Sequence, residues 1–412
     1  MARGTTTKKS RGTSKADSHS AGDSQRTRPK GLLPAVIAAA LTLILLMVAG
    51  PWPLSVSNDQ TGDQEVSQYL SNHAPNGGKD IAAFILETDQ NGARKARFGG
   101  LGATENSEVE IGSVTKTFTT QLLTQMVRTK EVSLDTTVGE IIDVGDAPIH
   151  DVTLKELADH TAGVPRLVGT KPNFLCTFTN CNPYADDLTP QQILDEAKNV
   201  KLHKRGERAY SNYGYALLGQ LLAHKAGMSY ADLLKNNILQ PAGMSQTYLA
   251  TPGTTGGRAQ GYAVNGRKTK AWEMNGYAPS GAIRSTPADM AKYAEFVLTN
   301  GTAEYGWGDF GFTLNDEPQN LADTDNPQAD NEQANPEQSN AEQSGTADPN
   351  SPDYAKSLYG KFPYKNGRTA GYSTGMIVDP RNGKAVFVSN RSGVAVNDLT
   401  FTLFDTLSKG AI

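Results

Sequence analysis

What most constrains how this chain folds is where its two hydrophobic periodicities fall. Near the start, Ile81-Ala-Ala-Phe-Ile-Leu86 and Ala96-Arg-Phe-Gly-Gly-Leu101 are short apolar runs bounded by turn residues, which predicts strands. Close to the other end, Gly371 to Val378 and Lys384 to Ser389 predict two more, separated by the hairpin turn Asp379-Pro-Arg-Asn-Gly383. Helical spacing rules the middle. Phe118, Leu122, Leu123 and Met126 predict a helix from Val114 to about Thr129, and Leu217, Leu218, Leu221 and Leu222 predict another from Asn212 to Lys225. Pro190 opens a further candidate, the Ser285-Thr286 cap signal precedes one from about Pro287 to Leu298, and Val396 to Ser408 supplies the last. Strands at both ends with helices between imply an α+β fold. One sheet is assembled from distant parts of the chain, with a mostly helical subdomain inserted at about 130–275.

Composition matters where it divides the chain. Of the 412 residues, those numbered 1–30 hold eight Lys/Arg against Asp17 and Asp23, and 315–353 hold ten Asp/Glu with no Lys or Arg. The overall formal charge is -4, so the remainder is neutral, which argues against a nucleic-acid surface. The acidic stretch, with near repeats such as Asn335-Pro-Glu-Gln-Ser, buries too little apolar surface to offset its ordering entropy and is expected to be a disordered insertion. From Leu32 to Gly50 run nineteen uncharged residues, which at helical rise cover about 28 Å, enough to cross a bilayer. Arg26, Arg28 and Lys30 flank them, predicting a basic cytoplasmic tail (1–30), a signal-anchor (31–50) in a bacterial cell membrane and an external catalytic part. A cleaved signal peptide, giving a secreted protein, is the rival reading. The polar residues 51–78 are expected to form a stalk before a catalytic domain over 79–412. Cys176 and Cys181, the only cysteines, suit a small disulfide loop in an oxidising compartment, or two free thiols.

Three short motifs carry chemistry. Ser113 and Lys116 stand at i and i+3 at a helix start, on one face, so the amine can reach the hydroxyl while a backbone N–H stands ready for an oxyanion. A serine hydroxyl needs a neighbouring base, and a lysine serving as one needs its pKa lowered by burial, the helix dipole or a second cation. Tyr210-Ser211-Asn212 offers a phenol to shuttle a proton and an amide to hold a substrate carbonyl. Lys365-Asn366-Gly367 precedes a strand whose glycines let a substrate backbone lie close. His160 is expected to be a structural hydrogen-bonding group, and Trp272, Tyr277 and Phe174 are candidates for the pocket lining and equally for core or surface packing. No metal, nucleotide or flavin pattern occurs, and the chemistry needs no cofactor.

In that order the motifs resemble the penicillin-recognising serine hydrolases, above all the branch of class C β-lactamases, D-alanyl-D-alanine carboxypeptidases and related esterases. The resemblance runs from about Ile81 to Leu407. It includes Leu154-Lys-Glu-Leu-Ala-Asp-His-Thr-Ala-Gly-Val-Pro165, Leu239-Gln-Pro-Ala-Gly-Met244 and Ser280-Gly-Ala-Ile-Arg-Ser-Thr-Pro-Ala-Asp-Met290. It implies a β-lactamase/transpeptidase-like fold with an antiparallel sheet, and a peptidoglycan-type peptide or β-lactam substrate. It also implies that Ser113 is the nucleophile, Lys116 its base or base partner, and Tyr210 the second proton-transfer group. Asn212 would bind a substrate amide, Lys365 a carboxylate, and the backbone N–H groups of Ser113 and Arg368 would form the oxyanion hole. Two departures bear on the substrate: Asn366 stands where the family has Thr, and Arg368 where it has a small residue. An esterase of the same family and a non-catalytic wall sensor or scaffold are the competing functions.

Overall fold

A computed structural model of the chain describes residues 32–49, 54–169, 182–184, 188–256, 258, 260–301, 305–308, 352–359 and 361–412. The Cys176–Cys181 pairing, Phe174, the basic tail and nearly all of the acidic insertion lie outside them. Residues Met1–Gly50 form one unit and Pro51–Ile412 another. In the first, the apolar run forms a helix over Leu32–Ala49, with Val36, Ile37, Leu41 and Leu43 exposed. Among the described residues no helix is long and apolar enough to cross a membrane.

In the second unit β1 (Gln60–Gly62), β2 (Ile81–Thr88), β3 (Arg94–Leu101), β7 (Tyr364–Arg368), β8 (Ser373–Asp379) and β9 (Lys384–Asn390) form one sheet in the order β1-β3-β2-β9-β8-β7. Every neighbouring pair is antiparallel. β2 is central, which accounts for its unbroken apolar run, since both of its faces are covered. Phe84 and Leu86 join one core with Phe387, Val378 and the helices Thr115–Arg128 and Pro287–Asn300. Ile81, Ala83 and Ile85 face the other side, against the helices Gln64–His73 and Asn397–Ser408 through Val66, Leu70, Phe401 and Phe404. A second, antiparallel small sheet consists of β4 (Val109–Glu110), β6 (Ile283–Ser285) and β5 (Tyr248–Leu249), in that order. Helices Leu154–Ala158, Pro190–Asp195 and Asn212–Ala226 build the inserted subdomain.

Two sequence expectations need correction. Residues 54–78 are no stalk, because β1 extends the sheet beside β3 and the helix Gln64–His73 packs Val66 and Leu70 into the core. Those two side chains, four apart, make a stripe that the polar surroundings hide. Nor does the first catalytic helix start at Val114: a 3₁₀ turn over Gly112–Val114 comes first, and regular helix begins at Thr115.

Asp63 caps the Gln64–His73 helix, accepting from the N–H groups of Glu65 and Val66, both at 3.1 Å. Its carboxylate also receives Arg97 from β3 at 2.8 and 2.9 Å, and that bond holds the Asp63 pKa below the usual value. We predict that Asp63→Ala loses about 1 kcal/mol in urea unfolding at neutral pH, the scale of a helix cap. A carboxylate with a depressed folded pKa stabilises above its unfolded value of about 4, and this is lost as pH falls through the folded value. The gap between variant and wild type therefore closes in acid.

Candidate active site

The 3₁₀ turn lifts Ser113 to the head of the Thr115–Arg128 helix, so that Lys116 follows one turn later on the same face. Lys116 is completely buried and its Nζ donates to three acceptors: Ser113 Oγ at 3.0 Å, Asn212 Oδ1 at 2.8 Å and the Ser280 carbonyl at 2.7 Å. An ammonium has three protons, and these acceptors match them. They come from the nucleophile turn, the inserted subdomain and the Ala278–Gly281 turn that leads into β6.

Tyr210 approaches from the subdomain, its hydroxyl 2.7 Å from Ser113 Oγ. Its place is fixed by its neighbours. Ser211 caps the Asn212–Ala226 helix, accepting from Gly214 N at 2.8 Å and donating to the Pro165 carbonyl at 2.7 Å. The Ser211 N–H donates to His160 Nδ1 at 3.2 Å, and the His160 ring packs 4.6 Å from that of Tyr210. Burial, and then the charges of Arg208, Lys116, Lys365 and Arg166, push the His160 pKa well below its ordinary value. A neutral imidazole accepting at Nδ1 keeps its one N–H proton on Nε2, and its ring packs against that of Tyr210.

β7 brings the third motif. Lys365 is buried, with Nζ 5.3 Å from the centre of the Tyr210 ring, and Asn366 is buried beside it. Two glycines let β7 lie against the nucleophile turn. A Cβ on Gly367 would stand 1.9 Å from the Ile111 carbonyl, and one on Gly112, whose φ is +50°, would stand 2.6 Å from the Arg368 amide nitrogen. The Arg368 amide is thus carried up to the residue before Ser113, while the Arg368 side chain is exposed.

Several members of this constellation carry no sequence signal that the motifs disclose. Asn212 turns Oδ1 to the Lys116 ammonium, which can only donate, and its Nδ2 donates to the Tyr184 hydroxyl at 3.0 Å. Behind the nucleophile turn Arg284, 1% exposed, pairs with Glu110, 2% exposed, at 2.5 Å and with Glu108 at 2.8 Å. Glu110 also accepts from Thr369 Oγ1 at 2.6 Å and Trp272 N at 3.2 Å, so one carboxylate joins β4, β6 and the residue after Arg368. Burial raises the Glu110 pKa against the pull of Arg284. Tyr277 is not a pocket wall but a core residue, its hydroxyl bonded to the Val168 backbone, and Trp272 packs edge-on to Tyr184. A cavity of about 290 Å³, lined by Leu194, Gln220, His224, Tyr230 and Leu249 among others, includes none of the motif residues.

With this geometry in place, comparison with known proteins gives the family. The family profile described as Beta-lactamase matches residues 81–403, and the chain belongs to that family. It is 26% identical over 223 residues to penicillin-binding protein 4 of Amycolatopsis lactamdurans, covering 50% of this chain and 55% of that one. With the D-alanyl-D-alanine-carboxypeptidase/endopeptidase AmpH of Escherichia coli K12 it shares 27% over 203 residues, 47% of this chain and 50% of that one. The chain spans about half the length of the curated relatives it matches. Among solved structures, a class C β-lactamase from Rhodobacter sphaeroides superposes with a TM-score of 0.58 at 19% identity, over 84% of this chain and 97% of that one. A β-lactamase/D-alanine carboxypeptidase from Yersinia pestis gives 0.56 at 21%, over 85% and 100%. These structures establish the β-lactamase/transpeptidase-like fold.

Removing one partner of the buried pair leaves the other charged and unsolvated. Arg284→Ala is expected to cost about 3–5 kcal/mol in urea unfolding, far more than Arg258→Ala, whose exposed contact with Glu108 is 3.4 Å.

Proposed function

We propose that this protein is a serine hydrolase that forms an acyl-enzyme on Ser113 with D-Ala-D-Ala peptides or β-lactams. The observation that carries this is the double contact of Ser113 Oγ, with the Tyr210 hydroxyl at 2.7 Å and with Lys116 Nζ at 3.0 Å. Ser113 Oγ attacks the substrate carbonyl as its proton passes to the Tyr210 oxygen, which takes it up as the phenolate that the neighbouring Lys116 ammonium favours. The tetrahedral oxyanion is met by the backbone N–H groups of Ser113 and Arg368. Tyr210 then delivers the proton to the leaving group, and water later releases the acyl chain from Ser113. Asn212 holds the substrate amide, and Lys365 supplies positive charge for a substrate carboxylate. The names of the relatives, a penicillin-binding protein and a carboxypeptidase/endopeptidase, support the same substrate class.

We further propose that residues 32–50 anchor the chain in a bacterial cell membrane with the catalytic unit outside. The support is the uncharged run itself, its basic flank, and the exposed apolar side chains Val36, Ile37, Leu41 and Leu43. Full-length protein is expected in the membrane fraction, with its catalytic unit open to protease added outside intact cells. A soluble cytoplasmic chain overturns this.

The catalytic proposal is tested by measuring cephalosporin turnover, D-Ala release from a D-Ala-D-Ala peptide and p-nitrophenyl ester hydrolysis side by side. At least one of the first two is expected to proceed, and Ser113→Ala to lower it by about 10⁴-fold or more, as loss of a nucleophile does. Ester hydrolysis alone makes the protein an esterase of this family. No turnover of the three by folded protein, or turnover that survives Ser113→Ala, contradicts the mechanism.

A further inference from the structure

The Ser280 carbonyl that accepts from the Lys116 ammonium is a backbone group, so its place depends on what holds the turn around it. The Ser280 hydroxyl bonds within that turn, donating to the Tyr277 carbonyl at 2.8 Å. The helix that bears Lys116 reaches the turn at two further points. Thr115 Oγ1 accepts from the Ile283 N–H at 3.2 Å, and Thr119 Oγ1, one helical turn further on, donates to the Pro279 carbonyl at 2.7 Å. The Ala278–Gly281 turn is thus tied to one helix on both sides of Ser280. The Asn212–Ala226 helix packs closely on it as well: a Cβ on Gly219 would stand 2.3 Å from Pro279 Cβ, and Gln220 Nε2 donates to the Gly276 carbonyl at 3.0 Å.

Thr119 is completely buried, and its hydroxyl stands in a chain of bonds whose direction the chemistry fixes. The hydroxyl of Tyr230, also buried, lies 2.6 Å from Thr119 Oγ1. A carbonyl only accepts, so the single hydroxyl proton of Thr119 goes to Pro279, and the proton between Thr119 and Tyr230 comes from Tyr230. Burial raises the Tyr230 pKa, so the phenol keeps that proton. From Tyr230 through Thr119 to the Pro279 carbonyl, the two bonds polarise one another in the same sense. They hold the peptide immediately before Ser280. The next carbonyl along is the one that meets Lys116 Nζ at 2.7 Å, so the effect of Thr119 on Lys116 passes through a single residue of backbone.

We propose that Thr119 is a positioning residue for the reaction: by donating to the Pro279 carbonyl it holds the Ser280 carbonyl against the Lys116 ammonium, and so keeps that ammonium beside Ser113 and Tyr210. This rests on the acyl-serine proposal above and deepens it. The test follows acylation of Ser113 by benzylpenicillin over a range of concentrations, which separates the saturating rate from the half-saturating concentration. Full-length wild type, Thr119→Val, Thr119→Ser and Tyr230→Phe are compared, with urea unfolding to show that each is folded. Thr119→Val keeps the side-chain shape and loses the hydroxyl. Its saturating rate is expected to fall about 10-fold, the equivalent of one hydrogen bond, with the half-saturating concentration within about 2-fold of wild type. Thr119→Ser restores the donor and is expected to bring the rate back to within about 2-fold. Tyr230→Phe disturbs the same buried pair but leaves the bond to Pro279, and its rate is expected to stay within about 2-fold as well. An unchanged rate in Thr119→Val overturns the proposal. So does an equal loss in the Ser and Phe variants, which assigns Thr119 to packing alone. If Thr119→Val does not fold, Thr119→Cys, of similar size with a weaker donor, takes its place: a loss of about 3-fold or more at saturation supports the proposal, and an unchanged rate overturns it. If folded wild type takes up no acyl group from benzylpenicillin, the acyl-serine proposal itself fails, a result distinct from a reactive wild type matched by its variants.

Discussion

The buried ammonium of Lys116 is the interaction on which the rest of the site depends. A lysine with no exposed surface is tolerated only where its protons are met, and here each acceptor belongs to a different stretch of chain: Ser113, Asn212 and Ser280. The ammonium that donates to Ser113 Oγ is thereby also the tie between the sheet half of the molecule and the helical insertion. If the insertion moves away, Asn212 and Tyr210 leave together, and Lys116 loses an acceptor as Ser113 loses its second partner.

A second buried charge network steadies the other half of the reaction centre. Glu110 stands three residues before Ser113 and binds Arg284 on β6 and Thr369 next to Arg368, so the two segments whose amides are to face the oxyanion are held by one carboxylate. Gly112 and Gly367 allow the close approach that this clamp requires. The proposed nucleophile and the proposed oxyanion donors are thus fixed by packing, which is what electrostatic preorganisation demands.

Much of this was legible in the sequence because the relevant signals are local. Ser113 and Lys116 sit one turn apart, the cap at Ser211 announces the helix behind Tyr210, and the apolar runs of β2, β3, β8 and β9 are contiguous. What stayed hidden is of two kinds. The Ser280 carbonyl is a backbone group, which no side chain advertises. The Glu110–Arg284 pair and the stacking of Arg166 on Tyr210 join positions far apart in the chain, which only the assembled fold brings together. The helix at Gln64–His73 was masked differently: its apolar stripe is narrow, and a polar composition suggested a linker where Asp63 and Arg97 in fact lock a helix onto the sheet.

The central claim is that Ser113 Oγ is the atom that receives the acyl group. Brief exposure of the folded chain to benzylpenicillin, followed by acid quench, intact-mass measurement and peptide mapping, tests it most directly. A single acyl equivalent is expected on the peptide containing Ser113, absent from Ser113→Ala and formed far more slowly in Lys116→Ala. An adduct on another residue, or an unmodified Ser113 with this reagent and with an activated ester alike, contradicts it.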